Sequence, residues 1–392
     1  MLKHNCRIPE SKAQNRMNKP HYLYIGLMSG TSLDGIDAVL ARISSNGEAS
    51  AQASVSKPFS PDLRKALFEL QSPGLNELHR EKQAANALAL AYADTVKQLL
   101  EKAKLLPADI VAIGAHGQTI RHQPDLGHGL AYTHQTLNPA LLAEKTGMDV
   151  IADFRSRDLA AGGHGAPLVP AFHAQQFSSH ENAAILNIGG IANLTLLPKG
   201  GEVSGFDCGP GNILMDAWIS DQQGNDFDES GAWALQGKVN EALLAKLLSE
   251  PFFAKAPPKS TGRDDFHLDW LREKIAAENI NSEDVQATLL HLTAHSCLDA
   301  LISHAPQTQK LIVCGGGARN TALMNLLKVK AKNIFKQPLE VATSESVGID
   351  PQLVEGLAFA WLAWAHKEKR PANLPAVTGA KGPRILGACY PA

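Results

Sequence analysis

The chain has 392 residues, with 37 Lys and Arg against 39 Asp and Glu and no block of like charges, a balance that argues against nucleic acid or a membrane surface as partner. Its five cysteines, Cys6, Cys208, Cys297, Cys314 and Cys389, include no CxxC pair, which excludes a disulfide framework and a thiolate zinc site and suits a cytoplasmic protein. The length exceeds that at which one hydrophobic core usually stops growing, so two lobes with a cleft between them are expected.

Residues 1–20 are polar and basic without the apolar core of a secretory signal and are expected to form a disordered tail. No apolar run is long enough for a transmembrane helix. Alternating apolar residues predict strands over Tyr22–Met28, Asp37–Ile43 and Ala51–Ser56. Helices are predicted over Pro61–Leu70 and Glu77–Lys104. Ile110–Ala115 reads as a buried strand delivering His116, Gln118 and Thr119 at its carboxyl end, a helix starts at Asn138, and Asp149–Phe154 is another buried strand, leading to Arg155.

After the glycine-rich AAGGHGAPLVP, the segment ILNIGGIANLTLL within Ala184–Leu197 repeats the pattern of strand, glycine turn and strand seen near the amino terminus. GFDCGPGN reads as a further glycine turn before a helix from Asn212, followed by an irregular region to about Arg263. A helix near Ser282–Ser303, a strand Leu311–Cys314 entering GGGARN and a helix, and a closing helix within Gly348–Lys369 complete an α/β pattern with partly parallel sheets.

Three bare turns, Gly30–Asp37, Gly189–Asn193 and Gly315–Gly317, are the main chemical signal. Without side-chain bulk, backbone N–H groups can approach phosphate oxygens closely. None is a P-loop or a dinucleotide GxGxxG. Their order, hairpin loop, hairpin loop, then strand, loop and helix, matches the two-lobed actin-like ATPase plan of sugar kinases, Hsp70 and actin, in which mixed sheets flanked by helices enclose a central cleft.

The strings GLMSGTSLDGID, HGQT, DFRSRDLAAGGHGAPLVP, LNIGGIANLT, GFDCGPGNILMDAW, KSTGRDDF and CGGGARN, with the helix carrying Glu355, resemble the 1,6-anhydro-N-acetylmuramic acid kinases of bacterial cell-wall recycling, from about Tyr22 to Tyr390. The resemblance implies a reaction in which water opens the 1,6-anhydro bridge while the freed O6 takes the γ-phosphoryl group of ATP, giving N-acetylmuramic acid 6-phosphate and ADP. It implies ATP, Mg2+ and a homodimer. ATP would be held by Gly30, Thr31, Ser32, Leu33, Asp34, Gly35, Ile36 and Asp37 in the first hairpin, by Gly189, Gly190 and Asn193 in the second, and by Gly209, Gly211, Gly315, Gly316 and Gly317. Lobes of 21–150 plus 356–390 and of 151–355 follow from the same plan.

Asp207 matches the family's catalytic base, which takes a proton from the attacking water; a plainer role is to cap the helix from Asn212. Arg155 is a candidate ligand for the lactyl carboxylate or a sugar hydroxyl, or else the ion-pair partner of Asp153 or Asp158. Glu355 reaches the sugar by resemblance, or serves as a charge at a helix amino end. His116, Gln118 and Thr119 would line the sugar pocket, though a satisfied strand-end histidine is an alternative for His116. Where hexokinase-like hairpins carry an aspartate three residues before the loop threonine, this chain has Met28, so Asp34 and Asp37 are the magnesium candidates. Histidines at 116, 122, 128 and 134 lie in a loop-like segment and read as no zinc site. A kinase for another sugar or small carboxylate is the alternative function. A nucleotide-gated module of Hsp70 or actin type would need an appended segment, and none is expected after Tyr390.

Overall fold

Strand and helix patterning along the chain builds two sheets of the same internal order. The computed structural model describes residues 21–30, 33–124, 126, 129–276 and 279–392; the expected tail at 1–20, with Thr31, Ser32 and His128, lies outside them. Strands β1 (His21–Met28), β2 (Gly35–Ser44) and β3 (Ala49–Pro58) form an antiparallel meander, and β4 (Ile110–Ala115) and β7 (Val150–Ala152) continue it in parallel. Between them, β5 (Gln118–Gln123) and β6 (Tyr132–Thr136) make a separate hairpin. The second sheet repeats the plan with β8 (Ala183–Ile188), β9 (Ile191–Leu197) and β10 (Ser204–Pro210) antiparallel, then β11 (Lys310–Cys314) and β12 (Glu340–Thr343) parallel. The strand orders β3-β2-β1-β4-β7 and β10-β9-β8-β11-β12 correspond strand for strand, and β13 (Ala388–Tyr390) adds an antiparallel edge to β7.

The helices divide into three layers. Helices α1 (Pro61–Glu69), α2 (Glu77–Ala103) and α3 (Pro139–Thr146) cover one face of the first sheet, burying Leu67, Leu88, Tyr92, Leu99 and Leu142 against Ile25, Leu27 and Ile113. Short α4 (Ser156–Ala160) follows β7, and α5 (Val169–Gln176) enters the space between the sheets. The far face of the second sheet carries α6 (Ile213–Gln223), α7 (Glu241–Leu248), α8 (Pro251–Ala254), α9 (Leu268–Ile275), α10 (Ser282–His304) and α11 (Thr321–Ile334). Helix α12 (Val354–Lys367) lies with α5 in the central layer, where Leu357, Phe359, Trp361 and Trp364 share a core with Tyr24 and Val39 of the first sheet and Ile185 and Ile312 of the second. A short α13 (Pro375–Thr378) precedes β13. This is the two-lobed, mixed α/β actin-like plan.

Helix α12 can sit this close to the first sheet only because glycines face it. A Cβ on Gly26 would lie 1.8 Å from the Gly356 carbonyl oxygen, and one on Gly114 would lie 2.0 Å from that of Phe359. Since Glu355 begins this helix, the glycines also set the depth of its carboxylate in the cleft.

Several expectations differ from the structure. GFDCGPGN is not a turn: Gly205 to Pro210 belong to edge strand β10, where a bulge after Asp207 and the terminal position of Pro210 reconcile glycine and proline with pairing. The strand expected over Asp149–Phe154 is confined to β7, because Asp153 turns left-handed, φ 55°, and starts α4. The region expected to be irregular up to Arg263 contains α7 and α8, and α5 forms where glycine and proline obscured it.

Gly26→Ala is expected to lower unfolding stability by about 1–3 kcal/mol through overpacking against α12, measured by urea denaturation. Gly262→Ala, whose Cβ would meet nothing within 4 Å, leaves it unchanged.

Candidate active site

Residues in register on neighbouring strands share a sheet face, and at the carboxyl end of β8 this produces a polar row. Asp207 of β10 pairs with Asn193 of β9, Asn193 with Asn187 of β8, and Asn187 with Cys314 of β11. The bulge after Asp207 depends on Gly209 at φ 140°, where a Cβ would strike the Phe253 ring at 2.6 Å. The Asp207 carboxylate accepts the Thr261 N–H at 3.0 Å. Its backbone N–H donates to the carbonyl of Lys259, 3.1 Å away. Lys259 is itself buried, with its ammonium over the Phe252 ring at 4.7 Å. Burial pushes the Asp207 carboxyl up to about 7, opposed by the Thr261 hydrogen bond and the charges of Arg155 and Lys259.

Arg155 enters from the first sheet, at the turn that Asp153 forces before α4. Its Nε and Nη2 donate to His116 Nε2 at 3.2 and 3.0 Å, and Nη1 donates to the Gly165 carbonyl at 2.9 Å. Burial lowers its pKa to about 10, against the opposing charges of Glu355, Asp207 and Asp158, so it remains a cation at neutral pH. Asp158 is fully buried and accepts from the Gly165 N–H (2.8 Å), Asn373 Nδ2 (2.6 Å) and Thr378 Oγ1 (2.8 Å), fixing the GGHG loop behind Arg155. Glu355 accepts from Asn187 Nδ2 at 3.4 Å; burial raises its pKa, with Asn187 and Arg155 opposing and Asp37 adding to the shift.

The first hairpin adjoins this group through Asp37, whose charge acts on Glu355. Gly30 and Leu33 make its turn, Leu33 N–H to Gly30 C=O at 3.2 Å with Leu33 at φ 61°. Asp37 is the cross-strand partner of Met28. Its carboxylate therefore projects from the sheet face on which residue 28 stands. Burial raises the Asp37 pKa, a Ser56 hydrogen bond opposes this, and Asp34 adds to it. Asp34 is exposed and acts on Arg263 and on Asp216 of α6, whose carboxyl is pushed up to about 7 by burial and then by Asp34, Asp228 and Asp226.

The second hairpin is stitched to α6: Asn212 N–H donates to the Gly189 carbonyl and the Gly211 and Ile213 N–H groups donate to Gly190, at 2.8, 2.8 and 3.1 Å. Gly211 must be bare, since a Cβ would lie 2.3 Å from Gly189 O. In the third turn Gly315 stands at φ 80°, where a Cβ would come within 2.5 Å of Asn187 Oδ1, Gly316 is exposed and Gly317 packs on Ile188.

Many of the described residues singled out from the sequence thus interact with one another or with a shared neighbour, with three qualifications. His116 has both ring nitrogens engaged, Nε2 by Arg155 and Nδ1 by the Gly117 carbonyl at 2.8 Å. Gln118 Nε2 donates to Gly30 O at 3.1 Å, while its buried Oε1 has no partner among the described residues. Thr119 Oγ1 accepts from Gln135 at 3.3 Å, within the β5–β6 hairpin. Of the other histidines, His122 meets Thr133 and His134 meets Glu81. Asp158 was expected only as a possible ion-pair partner of Arg155, and Asn187, Asp216 and Lys259 were not singled out. They fall inside the strings DFRSRD, LNIGG, GNILMDAW and KSTGRDDF, but only the tertiary structure brings them together.

A family profile described as "Anhydro-N-acetylmuramic acid kinase" matches residues 22–392. Proteins named anhydro-N-acetylmuramic acid kinase are similar over nearly the whole chain. The one from Ralstonia nicotianae is 53% identical, covering 94% of this chain and 97% of its own. That from Chromobacterium violaceum is 52% identical, covering 94% and 99%. Among solved structures, a ROK family glucokinase from Streptomyces griseus in complex with glucose and AMPPNP matches at 12% identity and a TM-score of 0.37, covering 86% of this chain and 98% of that one. A ROK hexokinase from Thermus thermophilus matches at 14% identity, a TM-score of 0.37 and coverage of 88% and 99%.

By infrared difference spectroscopy against Asp207→Asn, the Asp207 carboxyl is expected to titrate near 7, and higher still in Arg155→Met. Ionisation complete by pH 5 would contradict the electrostatics described.

Proposed function

The chain belongs to the anhydro-N-acetylmuramic acid kinase family, and from that premise we infer how its cleft performs the double reaction. The protein is an ATP-dependent sugar kinase that opens the 1,6-anhydro ring of anhydro-N-acetylmuramic acid hydrolytically and phosphorylates O6, giving N-acetylmuramic acid 6-phosphate and ADP. The observation that carries the mechanism is the half-buried Asp207 carboxyl in the polar row beside Asn193, its pKa pushed up to about 7 by burial with two cations acting on it.

Ionised Asp207 removes a proton from water as its oxygen bonds to the anomeric carbon. The C1–O6 bond breaks, and O6 bonds to the γ-phosphorus of ATP as ADP leaves. Proton, sugar oxygen and phosphoryl group are thereby all accounted for. A base with a pKa near the working pH combines adequate ionisation with proton affinity. Arg155 offers its remaining N–H groups to the lactyl carboxylate, a pairing suited to guanidinium geometry, and Glu355 accepts a sugar hydroxyl. Gln118 Oε1 is an acceptor for a donor group of the substrate.

The bare turns hold the nucleotide: Gly30 to Asp37, including Thr31 and Ser32, and Gly189, Gly190 and Asn193 at the phosphates, with Gly209 and Gly211 beside them and Gly315 to Gly317 toward the adenosine. Magnesium fits the hard oxygen donors of the first hairpin: Asp34 and Asp37 would hold it, with Asp216 facing Asp34, and it would offset charge on the transferring phosphoryl group. No helix among the described residues is long and apolar enough to cross a membrane; we place the enzyme in the cytoplasm, as a homodimer.

With ATP, magnesium and the anhydro sugar, Asp207→Asn is expected to keep nucleotide affinity while kcat falls by about 10² or more, the scale of a positioned general base. In the unsubstituted enzyme kcat should decline below about pH 7 as Asp207 takes up a proton. Near-normal turnover by Asp207→Asn would remove Asp207 from this role.

A further inference from the structure

Arg155 is unusual in being held by neutral groups. Of the five N–H donors on a guanidinium, two go to His116 Nε2 and one to the Gly165 carbonyl. Neither acceptor carries charge, so the arginine is oriented without being neutralised by contact. The tautomer of His116 follows. Arginine can only donate, so Nε2 carries no proton, and Nδ1 must hold the ring hydrogen that it donates to the Gly117 carbonyl at 2.8 Å.

The ring has little freedom to do anything else. It is 6% exposed and packs against Phe359 of α12 with ring centroids 4.8 Å apart. Its segment is tied to the end of β1 at several points. The His116 N–H donates to Leu27 O at 3.0 Å, Ser29 Oγ to Gly117 O at 3.0 Å, and Gln118 Nε2 to Gly30 O at 3.1 Å. Ser29 Oγ also bonds to the buried Tyr92 hydroxyl of α2 at 2.8 Å. One short stretch, residues 116–118, therefore grips the base of the first hairpin on one side and the edge of the Arg155 guanidinium on the other.

We propose that His116 is a positioning residue of the phosphoryl-transfer site: its unprotonated Nε2 holds Arg155 in place between Glu355 and Asp207, keyed to the first hairpin. This rests on the assignment of Asp207 as base and Arg155 as its cationic neighbour. His116 is then not a proton carrier. A cationic ring could not accept from Arg155, and burial followed by the Arg155 charge holds its pKa near 3. The charged and titratable groups facing this assembly are Arg155, Lys259 and the Cys208 thiol around Asp207, and Glu355, Asp207 and Asp158 around Arg155. Removing the acceptor leaves two buried Arg155 N–H groups unpaired, so the guanidinium must turn toward another partner.

The test compares His116→Met, which keeps volume but offers no comparable acceptor, with His116→Gln, whose amide oxygen can reach the place of Nε2. In steady-state assays of the intact enzyme with ATP and the anhydro sugar, His116→Met should lower kcat about 10- to 100-fold, as expected for a displaced site group. The KM for ATP should stay within about twofold, and the acid limb of kcat should move up by about one pH unit as Asp207 loses its cationic neighbour. His116→Gln should restore the limb and most of the rate. An unmoved acid limb in the methionine variant, or a glutamine variant as impaired as methionine, overturns the proposal. If the methionine variant does not fold, ¹⁵N NMR of the imidazole in the unsubstituted protein decides: an Nδ1–H tautomer persisting from pH 5 to 8 supports the proposal, and an Nε2–H or cationic ring overturns it. Arg155→Met with normal rate and limb would instead refute the underlying assignment of Arg155.

Discussion

A guanidinium held by uncharged acceptors, with carboxylates on several sides, is the constraint on which the site depends. Arg155 faces Glu355, Asp207 and Asp158 while its hydrogen bonds go to His116 and Gly165. A direct ion pair would fix one carboxylate and silence the charge; placed this way, the cation acts on several carboxylates and keeps N–H groups for a ligand. Everything around it keeps that geometry. Asp158 locks the glycine loop that supplies Gly165, and the glycines at 26, 114 and 356 let α12 bring Glu355 and Phe359 to the required depth.

The fold places this charge between two copies of one supersecondary plan. Each sheet begins with an antiparallel hairpin, β1–β2 in the first and β8–β9 in the second. Asp34 and Asp37 belong to the first hairpin, and a cross-strand row of Asn187, Asn193 and Asp207 runs from the second hairpin to β10. In the proposed mechanism that asymmetry would separate the two halves of the chemistry, with hard oxygen donors for a metal-bound nucleotide in one place and a general base in another. Water activation and phosphoryl transfer can then proceed at the same sugar without competing for one carboxylate.

Much of this was legible in the sequence where a local rule acts alone. The hairpins β1–β2 and β8–β9, the long α2 and α10, and the strand entering GGGARN follow from apolar periodicity and from glycine at turns. Legibility failed where tertiary contact overrides the local signal. Gly205, Gly209 and Pro210 look like a turn, yet they form a bulged edge strand, because β9 offers a partner that the sequence does not reveal. His116 looks like a sugar ligand at a strand end, but its nitrogens are taken by Arg155, 39 positions away, and by its own chain. Asp216, Lys259 and Asp158 belong to the site through burial and neighbours drawn from distant segments. Met28 stands where other hairpins carry an aspartate, and the sequence alone does not show that strand register places Asp37 directly opposite it.

The central claim is that water, activated by Asp207, attacks the anomeric carbon in the same reaction that phosphorylates O6. Turnover in oxygen-18 water with mass analysis of the products tests it most directly. The account predicts one solvent oxygen at C1 of the sugar 6-phosphate and none in the transferred phosphoryl group. A sugar phosphate without label at C1, or label in the phosphoryl group, would contradict it.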